Sequence, residues 1–185
     1  GQSYKIQNLN ISSNSFAVGL FGVTAGANMK NIILYSDNNA SIVRENTGQV
    51  GAYTLGGLIG VAYEYNVTGT NNFIENCAIA GYDIIDRSTN QHGLGEANIG
   101  GLIGVANVHL KRCSAVTDII LETCPEKAAL WGIFIRVGGL TGAAQGMIQQ
   151  CYSGGSIIIS DETLESKVDY SNANQKKYEI YVGGI

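Results

Sequence analysis

A short pattern, Gly-Gly-Leu-x-Gly, returns along this chain at a spacing that few folds accommodate. It reads Leu55-Gly56-Gly57-Leu58-Ile59-Gly60, Ile99-Gly100-Gly101-Leu102-Ile103-Gly104 and Val137-Gly138-Gly139-Leu140-Thr141-Gly142. A looser copy, Ala17-Val18-Gly19-Leu20-Phe21-Gly22, comes first, and Val182-Gly183-Gly184-Ile185 begins another. The copies start at 17, 55, 99, 137 and 182, so they lie 38, 44, 38 and 45 residues apart. A period in that range marks stacked structural repeats, in which each unit buries its apolar side only against its neighbours.

A second pattern follows each copy. Met29-x-x-Ile32, Ile74-x-x-Cys77, Leu110-x-x-Cys113 and Ile148-x-x-Cys151 align in one column, 9, 16, 8 and 8 residues after the motif leucine. The longest gap holds an insertion around 63–72. Ile6-Gln7-Asn8-Leu9 reads as an earlier step of the same kind. A third apolar piece comes next: 40–43, Ile84-Ile85, Ile119-Ile120-Leu121 and Ile157-Ile158-Ile159. Three short strands per repeat are therefore expected.

Side chains alternate along a strand, so apolar residues three apart cannot both face inward without a bend between them. Leu55 and Leu58 pose this problem, and Gly-Gly is the pair that permits a bend. The Ile74-x-x-Cys77 step implies a second corner. Stacking would then set Cys77, Cys113 and Cys151 in an interior ladder above Ile32. The expected fold is all-β, a right-handed parallel β-helix (β-solenoid) of about four coils, forming one unit over residues 1–185. Loops are expected at 44–54, 86–98, 122–136 and 161–181. All four precede a Gly-Gly-Leu copy, so they should leave from one edge, where solenoid insertions tend to bind partners.

Composition agrees and narrows the function. Only 14% of residues are charged, with 25 Gly and a single Pro, which suits stacked strands better than helices. A formal charge of -4 and scattered basic residues argue against a nucleic-acid partner. No run approaches the ~20 apolar residues of a membrane-spanning helix. His92 and His109 lie in different repeats, so neither a zinc peptidase centre nor any other metal or cofactor site is expected. The cysteine column is read as small hydrophobic packing in preference to metal or disulfide roles, and Cys124 stands outside it. Asp83 and Asp118 follow their cysteines by six and five residues, Ser156 holds the matching place, and Asp37 falls five after Ile32. Carboxylates stacked this way could bind a cation or perform acid–base work; solvated turn residues are the plainer reading. Tyr63, Tyr65, Trp131, Tyr170 and Tyr178, in or beside loops, are candidate ligand-binding aromatics, although Trp131 lies in an apolar run that also suits burial.

The tandem of Gly-Gly-Leu-x-Gly, a gap and Ile-x-x-Cys resembles the GLUG motif. Residues 137–142 with Ile148-Gln149-Gln150-Cys151-Tyr152-Ser153-Gly154-Gly155 form the closest copy, and Ile74-Glu75-Asn76-Cys77-Ala78-Ile79-Ala80-Gly81 matches its second half. The resemblance implies an exported bacterial protein at the cell surface or outside the cell, like adhesins and immunoglobulin A-cleaving peptidases. In these the repeats lie outside the catalytic domain. The expected function is a non-catalytic stalk or adhesive surface for a host glycan or extracellular protein, with further repeats or a cap after Ile185. A carbohydrate-active β-helix with a groove along Asp83 and Asp118 is the alternative. A substrate-positioning accessory domain of a secreted peptidase is a third.

Overall fold

The structure, a computed structural model, describes residues 4–45, 51–64, 72–87, 95–122, 133–159 and 179–183, and every regular element among them is a β-strand. Four sheets share these strands, and each repeat visits the sheets in the same order. Sheet B holds β3 (Ala17–Val18), β7 (Tyr53–Gly56), β11 (Gly95–Gly100), β15 (Ile133–Gly138) and β20 (Glu179–Gly183). Sheet C holds β4 (Phe21–Ala25), β8 (Ile59–Tyr63), β12 (Ile103–Asn107) and β16 (Thr141–Ala144). Sheet D holds β5 (Met29–Lys30), β9 (Phe73–Glu75), β13 (His109–Lys111) and β17 (Ile148–Gln149). Sheet A is the longest. It holds β1 (Tyr4–Gln7), β2 (Ile11–Ser13), β6 (Ile32–Arg44), β10 (Ala78–Asp86), β14 (Ser114–Leu121), β18 (Tyr152–Gly154) and β19 (Ile157–Ile159).

Each strand pairs in parallel with its counterpart in the next repeat, for example β7 with β11 and β10 with β14. The stacking is compatible with a β-helix. One repeat makes one pass through four strands, not three, because the glycine motif straddles a corner and supplies a strand to each of two sheets. Leu55 and Leu58, on either side of that corner, are both fully buried, as are Ile99 and Leu102.

The motif glycines are there for closeness rather than for unusual backbone angles. A Cβ on Gly100 would lie 2.0 Å from the Ile103 carbonyl oxygen and 2.8 Å from the Gly142 nitrogen. On Gly104 it would lie 2.6 Å from the Gly60 oxygen and 2.9 Å from the Leu55 nitrogen. Sheets B and C thus back onto one another at backbone contact, which any side chain would prevent. The first copy turns with one residue fewer. Val18 pairs with Leu55 and Phe21 with Ile59, leaving Gly19-Leu20 opposite Gly56-Gly57-Leu58.

The second corner, between sheets D and A, uses left-handed backbone. Asn31, Asn76, Arg112 and Gln150 have φ of 59°, 53°, 53° and 54°, and each immediately precedes Ile32 or a column cysteine. Asparagine tolerates this region because its short amide can bond locally. Here the amides also form a ladder: Asn76 Nδ2 donates to Asn31 Oδ1 at 3.1 Å, and Arg112 Nε donates to Asn76 Oδ1 at 2.7 Å.

Sheet A encloses the core with Leu34, Ile79 and Ala115 in one inward column and Ile42, Ile84 and Ile119 in the next. Full burial of a Leu or Ile side chain contributes roughly 1.5–3 kcal/mol, so these columns add to the cohesion that Leu55, Leu58, Ile99 and Leu102 supply at the glycine corner. Outward, Ile33, Ala78, Ser114 and Tyr152 align in one column, and Tyr35, Ala80, Val116 and Gly154 in the next. The sheet is then interrupted: Gly81, at φ 72°, stands opposite four residues of β6, 36–39. Beyond the break, Tyr82 lies over Ala40, whose small side chain lets the phenol reach down and accept the Leu9 N–H at 3.2 Å.

Two alignments drawn from spacing change here. Ile6 pairs with Leu34 in sheet A, so Ile6–Leu9 is not a corner step. Asp37 falls inside the 36–39 insertion, and Ser41 takes the place beside Asp83.

Candidate functional site

The ends of the sheet A strands lie in register: Asp86 pairs with Arg44 and with Leu121, and Leu121 with Ile159. Sheet B begins again in register, with Ala97 beside Tyr53, Gly95 beside Ile133 and Phe134 beside Glu179. The four connections between them therefore leave and re-enter along one edge. This is the edge expected from the spacing, although most of the connecting residues lie outside the described ones.

The described rim of that edge is ionic and tightly paired. Arg87 sits between the repeats with Nη1 3.5 Å from Glu45 Oε1 and Nε 2.5 Å from Glu122 Oε2. Arg136 pairs with Glu96 and also donates to Asn98 Oδ1 at 3.3 Å. Beneath the rim, Arg44 and Asp86 point into the core because they share parity with the inward Ile42 and Ile84. The Arg44 guanidinium lies 3.8 Å over the Tyr53 ring, and the Tyr53 hydroxyl donates to Asp86 Oδ2 at 2.6 Å. All three are buried. The aromatic ring bridges the opposite charges, which limits the cost of burying them. Spacing alone had not singled out this trio. The signal was present in the parity of Ile42-Val43-Arg44 and Ile84-Ile85-Asp86.

Of the candidate aromatics, Tyr63 ends β8 and is 47% exposed. It stands at the sheet C to sheet D connection rather than on the sheet A to sheet B edge. Tyr65, Trp131, Tyr170 and Tyr178 lie outside the described residues, as do Cys124 and His92.

Asp83 and Asp118 do stack, as direct register partners on the outer face of sheet A. Partial burial, with the Asp118 charge second, raises the Asp83 carboxyl above its ordinary value. Asp118 Oδ1 accepts the Ser156 N–H at 2.7 Å, so that carboxylate also holds the next repeat's backbone. His109 has a comparable role, its Nδ1 accepting the Met147 N–H at 2.9 Å.

The cysteine column is real and free of disulfides among the described residues. Cys77 and Cys113 are fully buried and Cys151 is partly so. The Cys113 N–H points at Cys151 Sγ, 3.3 Å away. Burial pushes the Cys113 thiol up to about 12 and raises Cys77 as well, so both are protonated packing groups at neutral pH. No group of three or more metal-ligating side chains converges among the described residues. Among the described residues no helix is long and apolar enough to cross a membrane.

No protein-family model matches the chain, and no characterised protein or solved structure matches it significantly.

Proposed function

We propose that this chain is a non-catalytic repeat module of an exported bacterial cell-surface protein, built as a right-handed parallel β-helix with GLUG-type repeats. It serves as a stalk or an adhesive surface, and the connections along the sheet A to sheet B edge contact the partner. The supporting observation is the register of Arg44, Asp86, Leu121 and Ile159. It gathers four connections of unequal length on one side, over a rim that carries the Glu45–Arg87–Glu122 ladder. Insertions gathered on one side of a solenoid are its usual means of presenting a binding surface.

The test is binding of the purified chain to an array of glycans and host extracellular proteins. Variants shortened in 161–178 or 123–132 should lose a specific partner while keeping the circular dichroism of the parent. Binding that survives both deletions would move the surface elsewhere, and none at all would leave the stalk reading. The Asp83–Asp118 stack favours a second reading, a carbohydrate-active groove. It requires turnover of a polysaccharide that Asp83→Ala and Asp118→Ala each abolish.

A further inference from the structure

The outer face of sheet A carries a surface that the connections do not form. Between β6 and β18 its two outward columns contain no charged residue. Tyr35 and Tyr152 stand at opposite ends of this strip, 40% and 59% exposed, and Val116 is 41% exposed between them. Ala78, Ala80 and Gly154 keep the floor low. A Cβ added at Gly154 would touch only the Val116 methyls, at 3.9 and 4.0 Å.

Polar groups line both long sides. On one side is the Asn31–Asn76–Arg112 ladder at the corner. On the other is the column of Ser41, Asp83, Asp118 and Ser156. Tyr35 and Tyr152 are three strand steps apart, about 14 Å along the stack.

Size and chemistry select the occupant. Four strands by two outward columns give about 19 Å by about 13 Å, on the order of 250 Å². A stable protein interface needs about 800 Å² per partner, so a globular protein is poorly served. An extended peptide gains its affinity from main-chain bonds at a sheet edge, and a sheet face offers none. A sugar chain presents apolar ring faces flanked by hydroxyls. It matches an apolar floor with tyrosine platforms and hydrogen-bonding margins. Asp83 and Asp118 on the margin disfavour an acidic polymer.

We propose that this strip binds a neutral polysaccharide chain, laid along the stack with sugar rings on Tyr35 and Tyr152. The surface is separate from the connection-bearing edge, and it holds whether or not that edge binds a partner.

Affinity electrophoresis tests it, with the folded chain run through gels containing laminarin, xyloglucan or galactomannan, and polygalacturonate as the acidic comparison. At least one neutral polymer should retard the chain, and about 0.5 M NaCl should leave the retardation intact, since no charge pairing is involved. Tyr35→Ala and Tyr152→Ala should each weaken binding about tenfold, the order expected for losing an aromatic anchor. Ala80→Arg, which fills the middle of the floor, should abolish it. Shortening 161–178 should change nothing, which separates this surface from the edge. Circular dichroism and the urea midpoint confirm that each variant is folded.

Four results overturn the proposal: no retardation by any neutral polymer, retardation by polygalacturonate alone, or variants that bind like the parent. The fourth is self-association in sedimentation that the same substitutions abolish, which would assign the strip to a second copy of the chain.

Discussion

Replacing Gly100 by alanine tests the reason for the motif. The added methyl would sit 2.0 Å from the Ile103 oxygen and 2.8 Å from both the Gly142 nitrogen and the Ile103 carbonyl carbon. All three are backbone atoms on sheet C strands or their corner, so no rotamer change relieves the clash and the two sheets must part. Ordinary overpacking costs about 1–3 kcal/mol, and a backbone wedge belongs at the top of that range. Against it stands the usual gain of roughly 0.5–1 kcal/mol for alanine over glycine in a strand. A net loss of about 2–2.5 kcal/mol is expected. With a urea slope near 2 kcal/mol/M, the midpoint should fall by a little over ~1 M. Gly154→Ala is the matched control, because its methyl meets only the Val116 side chain at ordinary contact distance. Its midpoint should hold or rise by a few tenths of a molar unit. Unfolding followed by circular dichroism, with slopes compared to guard against a broken cooperative unit, measures both. Equal midpoints for the two variants would refute the close-approach reasoning.

Three further outcomes follow from the corners and the core. Asn76→Val should lower the thermal midpoint by the equivalent of about 1–2 kcal/mol, since a β-branched residue is ill-suited to φ 53°, whereas Asn76→Gly should stay near the parent. Iodoacetamide at pH 8 should label Cys151 well before Cys77 and Cys113, because the Cys113 proton is held up to about 12; peptide mass mapping that finds equal labelling in the folded chain would contradict the buried column. Asp83 binds its proton more tightly folded than unfolded, so its effect is absent well below its ordinary value of 3.8 and weakens the fold as pH rises through the raised value. Asp83→Asn should therefore be the more stable protein at pH 7 and lose that advantage below pH 3; a constant difference across this range would show the carboxyl is not perturbed.

The sequence carried the repeat, the two corners and the cysteine ladder, because each rests on residues three apart that must both be buried. Leu55 and Leu58, or Ile74 and Cys77, announce a bend wherever they occur. It did not carry the count of strands. The glycine motif looks like a single strand until Gly56 and Gly60 are seen to press two sheets back to back. Glycine at such positions reads equally well as freedom or as closeness, and only the neighbouring backbone decides.

Spacing also failed wherever the chain inserts residues inside a strand. Asp37, counted from Ile32, belongs to a four-residue excursion, and Ile6 and Leu9 repeat the three-residue spacing of Met29 and Ile32 although Ile6 lies within sheet A, beside Leu34. The repeated asparagine at 31 and 76 was a legible signal for the corner itself. Of the candidate site, the common edge was visible in the placement of the loops. The Arg44–Tyr53–Asp86 trio and the Tyr35–Tyr152 strip were not, since both depend on which face each residue takes after an irregular segment.

The most direct test of the account is a diffraction structure of the chain. The account predicts that the Cα atoms of Lys5, Ile33, Ala78, Ser114 and Tyr152 fall in one line at steps of about 4.8 Å, with every strand parallel to its neighbours. An antiparallel neighbour anywhere in these sheets, or a line that does not join equivalent positions of successive repeats, would contradict it.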